Sequence, residues 1–152
     1  NPYVTKAVVD PVPAFYRALA QRPPGSVTLI EAPWRLESHF NPHAWYQQVH
    51  RQNVRIGLTT PWCGRRDFGE YPETQPGFRF ANFVHVPAVL RGETYGADYL
   101  VVHLVPWSVP PGEKVPWPDI ARCLPDVEAK LGPPVFRDER IVVFALRAEA
   151  TR

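Results

Sequence analysis

The sequence predicts an α/β domain with a three-layer, Rossmann-like sheet that is mostly parallel and ends in an antiparallel β-hairpin. Three short apolar runs, 27–32, 54–59 and 99–105, are separated by stretches long enough for crossover connections, which is typical of parallel strands. Near the end of the chain, two apolar runs at 135–136 and 141–146 flank a charged turn, as in a hairpin. We therefore expect helices on both faces of one sheet.

The size and composition are those of one folded domain spanning residues 1–152. The chain is 45% hydrophobic and 21% charged, close to globular averages, which excludes wholesale disorder. No apolar run approaches the roughly 20 residues needed to cross a bilayer, and the chain does not begin with Met. We expect a piece excised from a larger protein.

The charge pattern and the missing motifs exclude several function classes. The net charge is +2, and no cluster of Lys and Arg predicts a nucleic-acid partner. The sequence has no GxGxxG, GxxxxGK[ST] or GxSxG motif, so we expect no dinucleotide site, P-loop or hydrolase elbow, and no cofactor. The cysteines, Cys63 and Cys123, fit either one disulfide in an oxidising compartment or two free thiols.

In the first half of the chain, proline and small polar residues mark the ends of the elements. A helix is predicted over 10–21, starting at an Asp-Pro pair. The Pro-Pro-Gly segment that follows ends this helix before the strand at 27–32. An Asn-Pro pair begins a second helix over 41–52, and the strand at 54–59 follows.

The second half of the chain begins with a long stretch rich in Pro, Gly and charge, residues 60–80. Loops of this length are usually functional or mobile. Residues 83–90 predict a helix or an irregular amphipathic segment, because Pro87 argues against a regular helix. After the strand at 99–105, apolar residues at helical spacing predict a helix over 117–131.

Histidines and carboxylates concentrate in the loop and helix that follow the first apolar strand. Glu37, His39 and His43 lie close together there, and His50 comes two helical turns after His43. Imidazole and carboxylate are zinc ligands, so a metal site is one interpretation. Because the spacing is not HExxH, ordinary loop and cap histidines are the alternative.

Two ionisable residues lie at or near predicted strand ends. Glu31 ends the first strand and needs a buried partner, for which Arg35 or Arg55 would serve. An acid–base pair of Glu31 with Asp67 is a further hypothesis. His103 lies in an apolar strand and is either a core histidine or faces the crevice where ligands of α/β proteins bind.

Tryptophans are frequent in the predicted loops, each beside a proline. Aromatic rings accompanied by arginine, such as Arg65 after Trp62, suit sugar binding or a membrane interface. The alternative is that these rings cover the ends of a small core. The tryptophans in predicted loops are Trp34, Trp62, Trp107 and Trp117.

Four segments, in order along the chain, carry a resemblance to a known family. They are FYRALA with IEAP at 15–33, YQQVHRQNVRIG at 46–57, ADYLVVH at 97–103, and LGPPVFRDE with VVFAL at 131–146. This pattern resembles the soluble C-terminal, extracytoplasmic domain of bacterial polytopic membrane proteins in the C-type glycosyltransferase superfamily.

The resemblance implies a location outside the cytoplasmic membrane, tethered to it by the membrane-embedded part of the same protein. It places the transfer chemistry in that membrane part, so no catalytic residue is assigned to this chain. The implied ligands are an acceptor glycan or a polyprenyl-phosphate sugar. A binding role would use the carboxyl-end loops of the strands, with these residues: Glu31, Trp34, Arg35, Glu37, His39, His43, Trp62, Arg65, Asp67 and His103.

Two alternatives remain open. One is a small metal- or carboxylate-dependent hydrolase that uses Glu37, His39 and His43 together with His103. The other is a protein-interaction module that docks a partner through its loops rich in Trp and Pro.

Overall fold

A computed structural model describes residues 12–34, 41–59, 83–106, 117 and 119–147 of the chain. The described residues form a mixed α/β fold with one six-stranded sheet. Its strands are β1 (Thr28–Ala32), β2 (Asn53–Leu58), β3 (Phe83–His85), β4 (Tyr99–His103), β5 (Phe136–Arg137) and β6 (Ile141–Ala145). The helices are α1 (Ala14–Leu19), α2 (His43–His50), α3 (Val86–Leu90) and α4 (Leu124–Leu131), with a 3₁₀ turn at Ile120–Cys123.

The strand order is β3-β2-β1-β4-β6-β5, and the first four strands are parallel. Strand β6 runs antiparallel to both β4 and β5, so the end of the chain is a hairpin. The prediction of a mostly parallel sheet with a C-terminal antiparallel hairpin is confirmed. Crossover connections make the early strands parallel, whereas the short turn between β5 and β6 permits only antiparallel pairing.

Several predicted elements differ from the structure, and α2 covers His43–His50 rather than 41–52. Residues 83–90 form strand β3 followed by α3, and Pro87 lies in the first turn of this helix, where its missing N–H costs no helical hydrogen bond. The helix predicted over 117–131 is regular only from Leu124, because a 3₁₀ turn precedes it and Pro125 occupies its first turn. The first helix is shorter than predicted and covers Ala14–Leu19.

The apolar core consists of two clusters formed by alternate residues of the same strands. Ile30 and Leu100 belong to one cluster, and their neighbours Leu29 and Val101 belong to the other. Because successive side chains of a strand point to opposite faces, the clusters lie on opposite sides of the sheet. The first cluster includes residues of α3 and α4, and the second includes residues of α1 and α2.

Strands β1 and β2 approach closely at Gly57. A Cβ atom built there would lie 2.7 Å from the Cβ of Ala32 and 3.1 Å from the carbonyl oxygen of Glu31. Just beyond β1, the backbone N–H of Trp34 donates to the carbonyl of Gly57 at 3.0 Å. A residue without a side chain therefore lets the end of β1 pack tightly against β2.

No helix in the described ranges has the length and apolar character required to cross a membrane.

Candidate functional site

Glu31 and His103 lie near the carboxyl ends of two adjacent parallel strands in the middle of the sheet. Glu31 is the fourth residue of β1, and His103 is the last residue of β4. From β1 the sheet continues through β2 and β3 on one side and through β4 on the other. In open α/β sheets, ligands bind outside the carboxyl ends of the strands at such a point.

The carboxylate of Glu31 lies between two imidazole rings. His103 Nε2 is 2.9 Å from Glu31 Oε2, a hydrogen-bonding distance, and His50 Nε2 is 3.6 Å from Glu31 Oε1. The hydroxyl of Tyr16 is 3.4 Å from His103 Nε2. The side chains of Glu31 and His50 are fully buried and that of His103 is 2% exposed, so the cluster belongs to the interior.

The tautomer of the neutral His50 ring follows from a backbone contact. The N–H of Gln52 donates to His50 Nδ1 at 3.0 Å, so Nδ1 is an acceptor and the ring proton lies on Nε2. This Nε2–H faces Glu31 Oε1, but the separation is too long for a normal hydrogen bond. Glu31 Oε1 and His50 Nε2 accordingly both lack a hydrogen-bond partner in the described structure.

The side chain of Gln52 anchors the surroundings of His50. Its amide nitrogen donates to the carbonyls of Leu19 at 3.1 Å and Pro23 at 3.2 Å. Its amide oxygen accepts the backbone N–H of Val27 at 3.0 Å. Gln52 is only 2% exposed, and it connects the end of α1, the start of β1 and the segment between α2 and β2.

Aromatic rings cover the cluster on the side of α1 and α2. Tyr16 stacks on Tyr46 with ring centroids 4.7 Å apart, and on His50 at 5.1 Å. The rings of Tyr46 and His103 are within 3° of parallel, with centroids 6.0 Å apart. Tyr16 and Tyr46 are themselves almost fully buried, so these rings exclude water from the carboxylate.

The ionisation of the cluster follows from burial and from its hydrogen bonds. Burial alone would raise the pKa of Glu31, but hydrogen bonding to His103 and the facing Nε2–H of His50 outweigh it and lower the pKa from 4.5 to about 2. Burial and the neighbouring carboxylate of Glu31 raise the pKa of Tyr16 well above 10. Glu31 is therefore ionised and Tyr16 is neutral over the physiological range.

His43, the first residue of α2, is half-buried at the same edge of the sheet. Burial lowers its pKa below the ordinary 6.5; the carboxylate of Glu31 opposes this shift, and His103 reinforces it. A neutral imidazole therefore lies next to the buried cluster. Such a group can accept a proton or a hydrogen bond from a ligand at the carboxyl edge.

The described residues do not support a metal centre. Within the described ranges, no group of three or more His, Cys, Asp or Glu side chains is arranged to hold a metal ion. A histidine that binds a metal usually donates its other ring N–H to an acceptor, whereas His50 Nδ1 accepts a hydrogen bond from the backbone N–H of Gln52. His50 could bind a metal through Nε2 only after losing that hydrogen bond.

The structure brings together two of the residues that the sequence predicted for the site, Glu31 and His103, with His43 beside them. Trp34 lies further along the edge, half-buried, with its ring edge-on to Phe83 at a centroid distance of 5.1 Å. The remaining predicted site residues lie outside the described ranges: Arg35, Glu37, His39, Trp62, Arg65 and Asp67.

The expected partner of Glu31 requires a correction. Arg35 and Arg55 are the partners that the sequence offers for it, and Arg35 lies outside the described ranges. Among the described residues the carboxylate is bound by His103 and faced by His50, so Arg55 is not its partner. An imidazole suits this position because it can share a hydrogen bond inside the core with less desolvation than a guanidinium requires.

Sequence reasoning missed the roles of Tyr16, Tyr46 and Gln52. One local signal was available, because Tyr46 and His50 are four residues apart and therefore lie on one face of α2. No comparable signal existed for Tyr16, which belongs to a helix at the start of the chain. Its contact with His103 joins residues separated by 87 positions.

Two further observations concern the segment after β4. The half-buried indole of Trp117 donates its N–H to the carbonyl of His103 at 3.2 Å, which places an aromatic ring at the end of this strand. Cys123 is disulfide-bonded. Of the two states that the sequence allowed, a disulfide or a free thiol, this cysteine therefore adopts the disulfide. Cys63 lies outside the described ranges.

Comparisons of this chain with protein-family models, with curated proteins and with solved structures find no match.

Proposed function

We propose that this chain is a non-catalytic, extracytoplasmic binding domain of a membrane glycosyltransferase-like protein. The observation that supports a non-catalytic role is that the acid of β1 and the imidazole of β4, at the carboxyl ends of these strands, bind each other in the interior. A general acid or base must come within hydrogen-bond reach of its substrate. Glu31 is fully buried and His103 nearly so, which favours a structural role for both.

Ligand binding is proposed at the carboxyl edge above this cluster. Trp34, His43 and Trp117 are half-buried there, so each presents part of its surface. Aromatic rings combined with a hydrogen-bonding imidazole suit the apolar faces and hydroxyl groups of a sugar ring. An acceptor glycan or a polyprenyl-phosphate sugar fits this chemistry, and the membrane-embedded part of the same protein is the proposed partner.

The finer architecture belongs to the same proposal. A three-layer, Rossmann-like arrangement would place α1 and α2 on one face of the sheet and α3 and α4 on the other. The two apolar clusters support this arrangement, since each draws on one pair of helices and on alternate strand residues.

The proposed extracytoplasmic location is supported by the disulfide at Cys123. Disulfides form and persist in oxidising compartments and are rare where glutathione and thioredoxin keep thiols reduced. A thiol count on chain purified under non-reducing conditions tests this point. A freely reactive Cys123 would contradict it.

The binding proposal is tested by titrating the purified chain with defined glycans and polyprenyl-phosphate sugars while following tryptophan fluorescence and heat. We expect saturable binding that weakens at least tenfold in Trp34→Ala or Trp117→Ala, since stacking platforms lose contact area when truncated. Trp45→Ala is the matched control, because Trp45 is a 39% exposed residue of α2. Absence of binding to every probe, or equal loss in the control, would overturn the proposal.

A second candidate function is a small hydrolase, and His43 is the observation that favours it. Burial keeps this imidazole neutral, as a general base must be. The test is zinc content and hydrolysis of model esters and glycosides by chain purified without a histidine tag. Stoichiometric zinc and activity that both disappear in His43→Ala would support the hydrolase; protein without zinc and without activity would exclude it.

A further inference from the structure

The corner between α2 and β2 is closed by a hydrogen bond that depends on the protonation state of His50. His50 ends α2, and Gln52 directly precedes β2. Between them, Arg51 adopts a left-handed backbone with φ 57° and ψ 25°, a conformation unfavourable for a residue with a side chain. The bond from the Gln52 N–H to His50 Nδ1 spans this residue and holds the turn.

We propose that His50 is an acid-operated conformational switch: when its ring gains a second proton, the bond to Gln52 breaks and the corner between α2 and β2 opens. An imidazolium carries N–H groups at both ring nitrogens. The new proton on Nδ1 would point at the N–H of Gln52, so the two donors repel each other. The contact that closes the turn becomes one that opens it.

The groups around the ring determine where it moves. At its other side, Nε2–H faces Glu31 Oε1 across 3.6 Å, and neither atom has a hydrogen-bond partner among the described residues. The positive charge of an imidazolium attracts the carboxylate, so the ring moves toward Glu31 as it leaves Gln52. Closing this gap satisfies two buried polar atoms at once, which compensates for the hydrogen bond that is lost.

The other titratable groups of the cluster come from each element packed around it. His103 already binds the opposite oxygen of Glu31 and limits how far the carboxylate can turn. Tyr16, neutral over the physiological range, stacks on the ring of His50. These titratable groups are Tyr16 of α1, Glu31 of β1, His43 and Tyr46 of α2, His103 of β4, and Asp138 between β5 and β6, whose charge raises the pKa of Tyr16.

Opening this corner affects more than one turn because the side chain of Gln52 is hydrogen-bonded to three other residues. Its side chain binds Leu19, Pro23 and the backbone N–H of Val27. A shift of its backbone therefore loosens the end of α1 and the start of β1. The helix released by the switch, α2, also carries His43 at the carboxyl edge, so acid would change the position of that residue.

The test is a pH titration of the full chain labelled with ¹⁵N, following the histidine ring nitrogens and amide hydrogen exchange by NMR. At neutral pH we expect the Nε2–H form of His50 and a protected Gln52 amide. The exchange rate of the Gln52 amide, corrected for the intrinsic pH dependence of amide exchange, should rise about tenfold for each unit by which the pH is lowered while His50 gains its proton. The amide of Val135, which donates to the carbonyl of Val143 at 2.8 Å and lies away from this corner, is the internal control and should stay protected.

A conservative variant separates the switch from general acid unfolding. His50→Asn keeps an acceptor near the position of Nδ1 but cannot gain a proton, so its Gln52 amide should stay protected throughout the titration. The matched control is His85→Asn, on strand β3, which should keep the acid response. If His50→Asn does not fold, the comparison of Gln52 with Val135 in the unmodified chain decides the question.

Three results would overturn the proposal. The first is an Nδ1–H form of His50 at neutral pH, and the second is a Gln52 amide that stays protected while the ring is doubly protonated. The third is joint loss of protection at Gln52 and Val135, which would show that His50 gains its proton only on global unfolding.

Discussion

His103 Nε2 lies 2.9 Å from Glu31 Oε2, so the last residue of β4 binds a carboxylate buried in β1. The two residues are 72 positions apart and come from adjacent parallel strands. A buried carboxylate is tolerated when its charge is paired and hydrogen-bonded. This contact therefore links the stability of the central sheet to the ionisation of one acid.

Removing His103 should destabilise the chain strongly. His103→Ala leaves the carboxylate of Glu31 buried without its closest partner, and breaking a buried pair in this way costs about 3–5 kcal/mol. Urea unfolding followed by circular dichroism measures the loss in the free energy of unfolding. Arg137→Ala is the control, because the pair of Arg137 with Glu128 is exposed and contributes at most about 1 kcal/mol. Equal losses in the two variants would contradict the buried-pair interpretation.

Glu31 and His103 should show strong energetic coupling. Once Glu31→Gln has removed the buried charge, replacing His103 no longer leaves a buried carboxylate without a partner. The double variant should therefore lose less stability than the sum of the losses in the two single variants. Coupling on the order of 1–3 kcal/mol is expected for residues in one buried network. A double-mutant cycle with Glu31→Gln and His103→Gln measures it, and additive losses would show that the two side chains act independently.

Stability should be greatest between about pH 6.5 and pH 10. Glu31 has a lowered pKa, so its stabilising contribution, on the order of 3 kcal/mol, is complete above pH 4.5 and disappears as the pH falls toward 2. His43 has a lowered pKa, so the unfolded chain binds more protons below pH 6.5 and stability falls there. Tyr16 has a raised pKa, so its neutral form favours the folded state and stability falls as the pH rises above 10.

Urea midpoints measured across pH check this profile. Two variants then test which residues cause the alkaline and the acidic decrease in stability. Tyr16→Phe should lessen the alkaline decrease, because the ionising hydroxyl is gone while the stacked ring is kept. Glu31→Gln should flatten the acidic decrease below pH 4.5. An unchanged profile in either variant would show that other groups control that limit.

Adding a methyl group at Gly57 should weaken the contact between β1 and β2. In Gly57→Ala the new Cβ would lie 2.7 Å from the Cβ of Ala32, so the strands must separate, at a cost of about 1–3 kcal/mol. Thermal unfolding measures the loss. Combining it with Ala32→Gly removes the opposing methyl group and should restore part of the stability. Absence of any rescue would indicate that the contact with the backbone of Glu31 causes the loss.

Much of the fold could be predicted from local patterns. Each apolar run that became β1, β2 or β4 is bounded by turn residues, and the connections between them are long enough for the crossovers that parallel pairing needs. Strand β3 could not be predicted in this way, since it has only three residues and continues directly into the helix that contains Pro87. What makes it a strand is its pairing with β2, in which Gly57 lies opposite Val84.

The candidate site was only partly predictable. Glu31 and His103 could each be identified as polar groups in or at the end of apolar strands, which marks them as residues in need of partners. Their pairing depends on the alignment of β1 with β4, and no local pattern shows this alignment. The proton on His50 Nε2 depends in turn on the backbone of Gln52, a contact that exists only once α2 has ended in a left-handed turn at Arg51.

The sequence by itself determined the α/β class, the positions of the main strands along the chain and the positions at which ionisable residues interrupt apolar runs. It did so because helix and strand patterns act over a few neighbouring residues. The tertiary structure alone decided that Glu31 would be hydrogen-bonded to His103, faced by His50 and covered by Tyr16. The physical reason is that ionisation depends on distances and on loss of water, and both arise only when distant segments pack together.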